Sequence, residues 1–201
     1  MMQKRVSTTV LRDLGLVILL LATAVAWPST PARWTGAAQV AATSTTTLKN
    51  FGKVKDNYYR GSQPGENEIE QLKQLGVKTI IDLRKDKVPQ AAEWAGKAGL
   101  KYFNIPMKAS RRATDEQTAY FLKLVNDPDN GPVYVHCKGG RHRTGALTAV
   151  YRITRDGWTA DQAWAEMKRY DFDDGIFGGP GDQKKFVFSF YQNYLANQAA
   201  K

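Results

Sequence analysis

The 201 residues leave room for one domain with a single core once an amino-terminal segment is set aside, and the lone cysteine, Cys137, excludes an internal disulfide. The formal charge of +10, from 29 Lys and Arg against 19 Asp and Glu, favours anionic partners in general without identifying one. Residues 1–26 open with Lys4, Arg5 and Arg12 ahead of an apolar stretch from Leu14 to Ala26 that closes in Ala24-Val-Ala26. That is a secretory signal pattern, with cleavage expected after Ala26. An uncleaved membrane anchor is the alternative, although the apolar run is short against the roughly 20 residues a bilayer span needs. Either way the chain is expected to be exported, as a periplasmic or secreted protein or one tethered by its amino terminus. Residues 27–47, rich in Ser, Thr, Ala and Pro, read as a flexible linker, and 48–201 as the functional domain.

In chain order, Gly52 to Arg60 predicts two short strands around an Asp56-Asn57 turn. Glu66 to Leu75 places Ile69, Leu72 and Leu75 on one helical face, with Gly76 as the cap that ends it. Val77 to Leu83 reads as a buried strand, Pro89 to Ala98 as a helix closed by Gly99, and Leu100 to Ile105 as the next strand. Thr114-Asp-Glu-Gln117 is a capping box that opens a helix carrying Tyr120, Phe121 and Leu124. Pro132 to His136 is another buried strand, built on Val133 and Val135. Three helical segments follow, the second opened by the capping box Thr159-Ala-Asp-Gln162 and the last covering Lys184 to Ala196. Strands alternating with helices predict a single α/β domain, a central and mainly parallel sheet flanked by helices. Trp94, Trp158, Trp164 and the Phe186–Tyr191 stripe are read as core.

Between the Pro132 strand and the helix that follows lies Cys137-Lys-Gly-Gly-Arg-His-Arg-Thr144. Gly139 and Gly140 admit the unusual dihedrals of a tight loop. At the carboxyl edge of a parallel sheet and the start of a helix, the loop's amides converge into a nest for a tetrahedral oxyanion. Arg143 adds a planar fork for two of its oxygens, and Thr144 can donate to the sulfur as it leaves. Lys138, Gly139, Gly140, Arg141, His142 and Arg143 are therefore the candidate phosphate-binding residues, and Cys137 the candidate nucleophile. His136 is expected to brace the loop through backbone bonds rather than act as a base. An ordinary thiol near 8.5 is only a few per cent ionised at neutral pH, so the helix terminus and nearby cations must lower it. The plainer alternative is a buried, inert thiol. Zinc is disfavoured, since Cys137, His136 and His142 offer no separated pair of ligand clusters, and no cofactor is called for.

At these residues the chain resembles the protein-tyrosine phosphatase superfamily, whose cysteine, five intervening residues, arginine and Ser/Thr are matched by Cys137, Arg143 and Thr144. The fuller run is most similar to the small dual-specificity branch, in particular the atypical plant and fungal type and its bacterial relatives. The likeness extends to Tyr59-Arg-Gly-Ser-Gln-Pro64 and Thr79-Ile-Ile-Asp-Leu-Arg84. It implies metal-independent hydrolysis of phosphate esters through a cysteinyl-phosphate. It also implies Asp115 as general acid, because its spacing before Cys137 is similar to that of an aspartate in the atypical enzymes. Asp115 equally fits the bland role of favouring a helix dipole. Asp82 is a rival better explained as structural, and Asp171, Asp173 and Asp174 form a second rival group that reads as a turn.

The expected substrate is a phosphorylated protein, read by a protein-tyrosine or dual-specificity phosphatase. A polyphosphorylated small molecule is the alternative: an inositol polyphosphate, pyrophosphate or phosphoinositide, favoured by Lys108, Arg111, Arg112, Lys138, Arg141 and His142. A non-catalytic phosphate-binding module and a rhodanese-like sulfurtransferase are readings from other classes. Nucleic acid is not an expected partner, since no recognition-helix motif accompanies the basicity.

Overall fold

The computed structural model describes residues 46–173 and 181–200. The apolar leader, most of the linker and Asp174 lie outside the described residues. Asp56 and Asn57 turn β1 (Gly52–Lys55) back onto β2 (Tyr58–Gly61) in an antiparallel pair. The other strands are β3 (Thr79–Arg84), β4 (Lys101–Met107) and β5 (Val133–His136). The sheet order β1-β2-β5-β3-β4 puts β5 in the middle, parallel to both β2 and β3. β3 also pairs parallel to β4, so the antiparallel hairpin is one edge of a mainly parallel sheet.

Every residue of β3 and β5 is buried, as expected of parallel strands covered on both faces. Side chains alternate between the faces with the period of two that a strand imposes. Tyr134 and Ile80 pack under α1 (Glu66–Gln74) and α2 (Ala91–Lys97), whereas Val133, Val135 and Ile81 face the larger core beneath the remaining helices. Those helices are α3 (Asp115–Asn126), α4 (His142–Asp156), α5 (Ala160–Arg169) and α6 (Gly181–Ala199). Both predicted capping boxes form: Thr114 and Thr159 accept from the Gln117 and Gln162 amides, and each glutamine returns a bond to its cap's backbone. A cap of this kind stabilises a helix by about 1 kcal/mol, enough to fix where α3 and α5 begin.

Several boundaries differ from the sequence reading by one to three residues: β3 and β4 each run past their expected ends, to Arg84 and Met107, and α2 and α6 start elsewhere. Pro89 and Gln90 form a turn, so α2 starts only at Ala91. α6 begins at Gly181 rather than Lys184, and its first turn is docked by Gln183, fully buried, whose Nε2 donates to Ala109 O at 3.3 Å. Trp164 and Phe186 lie in the core, with Trp158, Phe188 and Phe190 packed against it and Trp94 against the smaller cluster. Among the described residues no helix is long and apolar enough to cross a membrane.

Candidate active site

β5 ends at His136 and α4 begins at His142, so the intervening loop leaves the middle of the sheet at its carboxyl edge. What shapes the loop is the fate of its carbonyls. Lys138 O accepts from the Gln63 amide at 3.2 Å, Gly139 O from Asn50 Nδ2 at 2.9 Å, and Gly140 O from Arg60 Nη2 at 2.8 Å. His136 Nδ1 stands 3.4 Å from Cys137 O. Across a trans peptide the carbonyl and the amide point in opposite directions. Holding a run of consecutive carbonyls from outside therefore turns the intervening amides inward, which makes an anion nest out of a loop with no regular structure.

Cys137 is a free thiol, 3% exposed, at the floor of that nest. Burial pushes the thiol up, but the Thr144 hydroxyl and amide, the Arg143 charge and the Gly140 amide together outweigh it and leave it below its ordinary value. Thr144 Oγ1 is buried and bonded to no other group among the described residues, which leaves its hydroxyl to the sulfur. Arg143, 5% exposed, is anchored where Nη1 donates to Met107 O at 3.0 Å, which fixes the fork at the end of β4. Asp86 Oδ1 lies 3.7 Å from the same Nη1, but that carboxylate is 76% exposed and solvent screening weakens the pair.

Burial depresses the His136 imidazole to about 4, against the pull of Asp82 beside it, so the ring is neutral at neutral pH and a poor proton acceptor. This neutral histidine makes the fold acid-sensitive. The unfolded chain takes up a proton near 6.5 that the folded ring refuses until about 4. Stability is therefore complete above that range and falls by roughly 1.4 kcal/mol per pH unit as pH drops through it. Urea unfolding across this window is expected to show the slope in the wild type and a flatter profile in His136→Gln. A flat wild-type profile would mean that the ring is already protonated in the fold.

A cavity of about 580 Å³ opens over the sulfur, lined by Cys137, Lys138, Gly139, Arg141, His142 and Arg143 together with Lys49, Asn50, Ala109 and Asp171. Gly140, Thr144 and His136 are buried. Asp115 is not in this lining: it is exposed at the first turn of α3 and borders a neighbouring cavity with Arg111, Arg112 and Lys185. Asp82 is structural, as its strand position suggests. Its carboxylate accepts from the Arg84 backbone and guanidinium and from Tyr102 Oη, and it is held below the ordinary range by Arg84, His136 and Tyr102 despite its burial. Asp171 does sit in a turn, with a left-handed φ of 55°, yet that turn faces the Cys137 cavity. The Asp173 amide donates to His142 Nε2 at 3.4 Å, which ties the same turn to the loop. Asn50, Arg60, Gln63 and Lys49 had no role in the sequence reading. The Tyr59–Pro64 motif marked the neighbourhood of Arg60 and Gln63, but nothing local singles out Lys49 or Asn50. Among the described residues no group of three or more His, Cys, Asp or Glu is placed to hold a metal ion.

Residues 32–184 match the family model described as DSP-PTPase phosphatase fused to NAD+ kinase. The chain belongs to this phosphatase family. It is 33% identical over 125 residues to the dual specificity protein phosphatase TpbA of Pseudomonas aeruginosa (strain UCBPP-PA14), a match covering 62% of this chain and 56% of that protein. It is 30% identical over 127 residues to an inositol diphosphatase of Arabidopsis thaliana, covering 60% of this chain and 63% of that one. The chain thus spans less than two thirds of the length of either relative. Among solved structures, the core catalytic domain of the PP-IP phosphatase of S. cerevisiae superposes with a TM-score of 0.63 at 24% identity, over 76% of this chain and 92% of that one. At that identity the likeness is one of fold, and the DSP-PTPase fold is what this chain adopts.

Proposed function

We propose that the chain hydrolyses phosphate monoesters through a phosphocysteine intermediate. The observation that carries this reading is a buried thiol held below its ordinary value inside a loop whose Lys138, Gly139 and Gly140 carbonyls are tied outward. Cys137 attacks phosphorus and the ester oxygen leaves. The amides and Arg143 stabilise charge on the three equatorial oxygens, and Thr144 aids departure of sulfur when water attacks the intermediate. Phosphate release by the full chain, without added metal, tests it. Substrates are an aryl phosphate, phosphotyrosine and phosphoserine peptides, and inositol polyphosphates and pyrophosphates.

A phosphorylated protein is the first substrate class, in keeping with the dual specificity relative. A polyphosphorylated small molecule is the second reading. It is favoured by Lys49, Lys138 and Arg141, which line the cavity around the nucleophile and give it cationic walls. The leader pattern of Lys4, Arg5, Arg12 and the Leu14–Ala26 run supports export or membrane tethering.

For the leaving-group proton, Asp115 has the spacing and Asp171 has the place in the cavity; the lining favours Asp171. Asp171→Asn is expected to slow hydrolysis of a phosphoserine peptide by roughly a hundredfold and of an activated aryl ester far less, since only a poor leaving group needs the proton. Asp115→Asn is expected to change both by less than about fivefold, the mark of a group outside the proton path. The opposite ordering in these assays assigns the acid to Asp115.

A further inference from the structure

Arg60 on β2 is the largest fully buried side chain among the described residues, at 0% exposure, and beyond its bond to Gly140 O the chemistry above gives it no part. Its partners are few. Nη2 donates to Gly140 O at 2.8 Å, the guanidinium carbon lies 3.9 Å from the centroid of the Tyr170 ring, and Nε and Nη1 have no hydrogen-bond partner among the described residues. A guanidinium stays charged even when buried, and leaving about three of its five N–H donors unpaired is costly unless the charge serves something nearby.

We infer that Arg60 is a positioning residue that acts on Cys137 from behind the loop, holding the Gly140 carbonyl outward and supplying a second positive charge that favours the thiolate. The Gly140 carbonyl belongs to the peptide whose amide is that of Arg141, so the bond from Arg60 turns this amide toward the anion side. The charged and titratable groups around Arg60 are Tyr58 on its own strand, Glu166 and Tyr170 from α5 and its end, Cys137 in the loop and Tyr134 on β5. Burial lowers Arg60, while Tyr58, Glu166, Tyr170 and Cys137 each favour its charged form. Glu166 is also bonded to Arg152, with Oε1 accepting from Nη2 at 2.6 Å, so the Arg60 charge acts on that carboxylate as well as on the sulfur. His136, on β5, is neutral and does not compete.

The full chain has one cysteine, so alkylation by iodoacetamide reports on Cys137 alone. In Arg60→Met the pH midpoint of alkylation is expected to rise by about one unit. In the same variant kcat for an aryl phosphate should fall roughly a hundredfold while KM changes less. Arg60→Gln keeps an amide donor for Gly140 O but not the charge; it should raise the midpoint as Met does and retain more of kcat. A folded Arg60→Met with the wild-type midpoint overturns the inference, since a residue needed only for packing would leave the thiol's titration in place. Should Arg60→Met not fold, the same unchanged midpoint in Arg60→Gln overturns it. The kinetic arm rests on the phosphatase reading, whereas alkylation is read without turnover, so failure of either is told apart from failure of the other.

Discussion

Cys137→Ser is expected to lower phosphate release by at least about 10⁴-fold while binding of phosphate or tungstate is kept or tightened. Serine has nearly the same shape as cysteine, and the loop is held by carbonyl bonds from Asn50, Arg60 and Gln63 that do not involve the side chain at this position. What changes is the nucleophile. The groups that lower the Cys137 thiol, Thr144, Arg143 and the Gly140 amide, act with it on an atom that can ionise near neutral pH. The same groups leave a serine hydroxyl, which starts several units higher, protonated. Loss of the anionic sulfur also removes its repulsion of a bound dianion, which is why affinity should hold or rise. Turnover is read by released phosphate and binding by the rise in melting temperature with ligand. Equal turnover in the two proteins would rule out covalent catalysis, and loss of both turnover and binding would make Cys137 a structural thiol.

The parts of this site that could be read in advance are those in which neighbours in sequence are neighbours in space. Cys137, Arg143 and Thr144 lie on one continuous loop and helix start, so their spacing alone carries the geometry. Thr114 with Gln117 and Thr159 with Gln162 bond over three residues, and their helices begin where the capping boxes place them. The residues that shape the loop from outside are different. Asn50 and Arg60 reach Gly139 and Gly140 across separations of 89 and 80 residues, and they do so only because β5 inserts between β2 and β3. No local pattern states that strand order. Asp115 and Asp171 show the same limit from the other side. A count of residues before Cys137 places a carboxylate along the chain but not in a cavity, and the Ala109–Thr114 segment carries Asp115 to a neighbouring hollow while Ala109 alone borders the sulfur. The turn at Asp171 was legible as a turn; that it faces the cavity follows from how α5 ends against the loop, through Tyr170 on Arg60 and Asp173 on His142.

Gly140→Ala is expected to destabilise the fold by about 3 kcal/mol or more and to remove most of the activity, from one added methyl group. Gly140 has a φ of 69°, a conformation that costs a side chain about 1 kcal/mol by itself. The larger part is contact. A Cβ there would stand 2.4 Å from Gly61 C, 2.6 Å from Gly61 O and 2.7 Å from Ser62 N, and none of these atoms is the end of a flexible side chain. Gly61 cannot retreat, because its other side is closed by Tyr134, whose Oη donates to Ser62 O at 2.6 Å. The loop must therefore lift off β2, which breaks the Arg60 bond to Gly140 O and lets the amides turn away from the sulfur. Gly76→Ala separates strain from clash, since Gly76 has a φ of 83° with nothing within 4 Å of where the added methyl would stand, far from the loop in sequence. It should cost about 1 kcal/mol in urea unfolding and leave kcat unchanged. If Gly140→Ala loses no more stability than Gly76→Ala and keeps its kcat, the loop is not wedged against β2. The outward-held carbonyls would then not be what orders the anion nest.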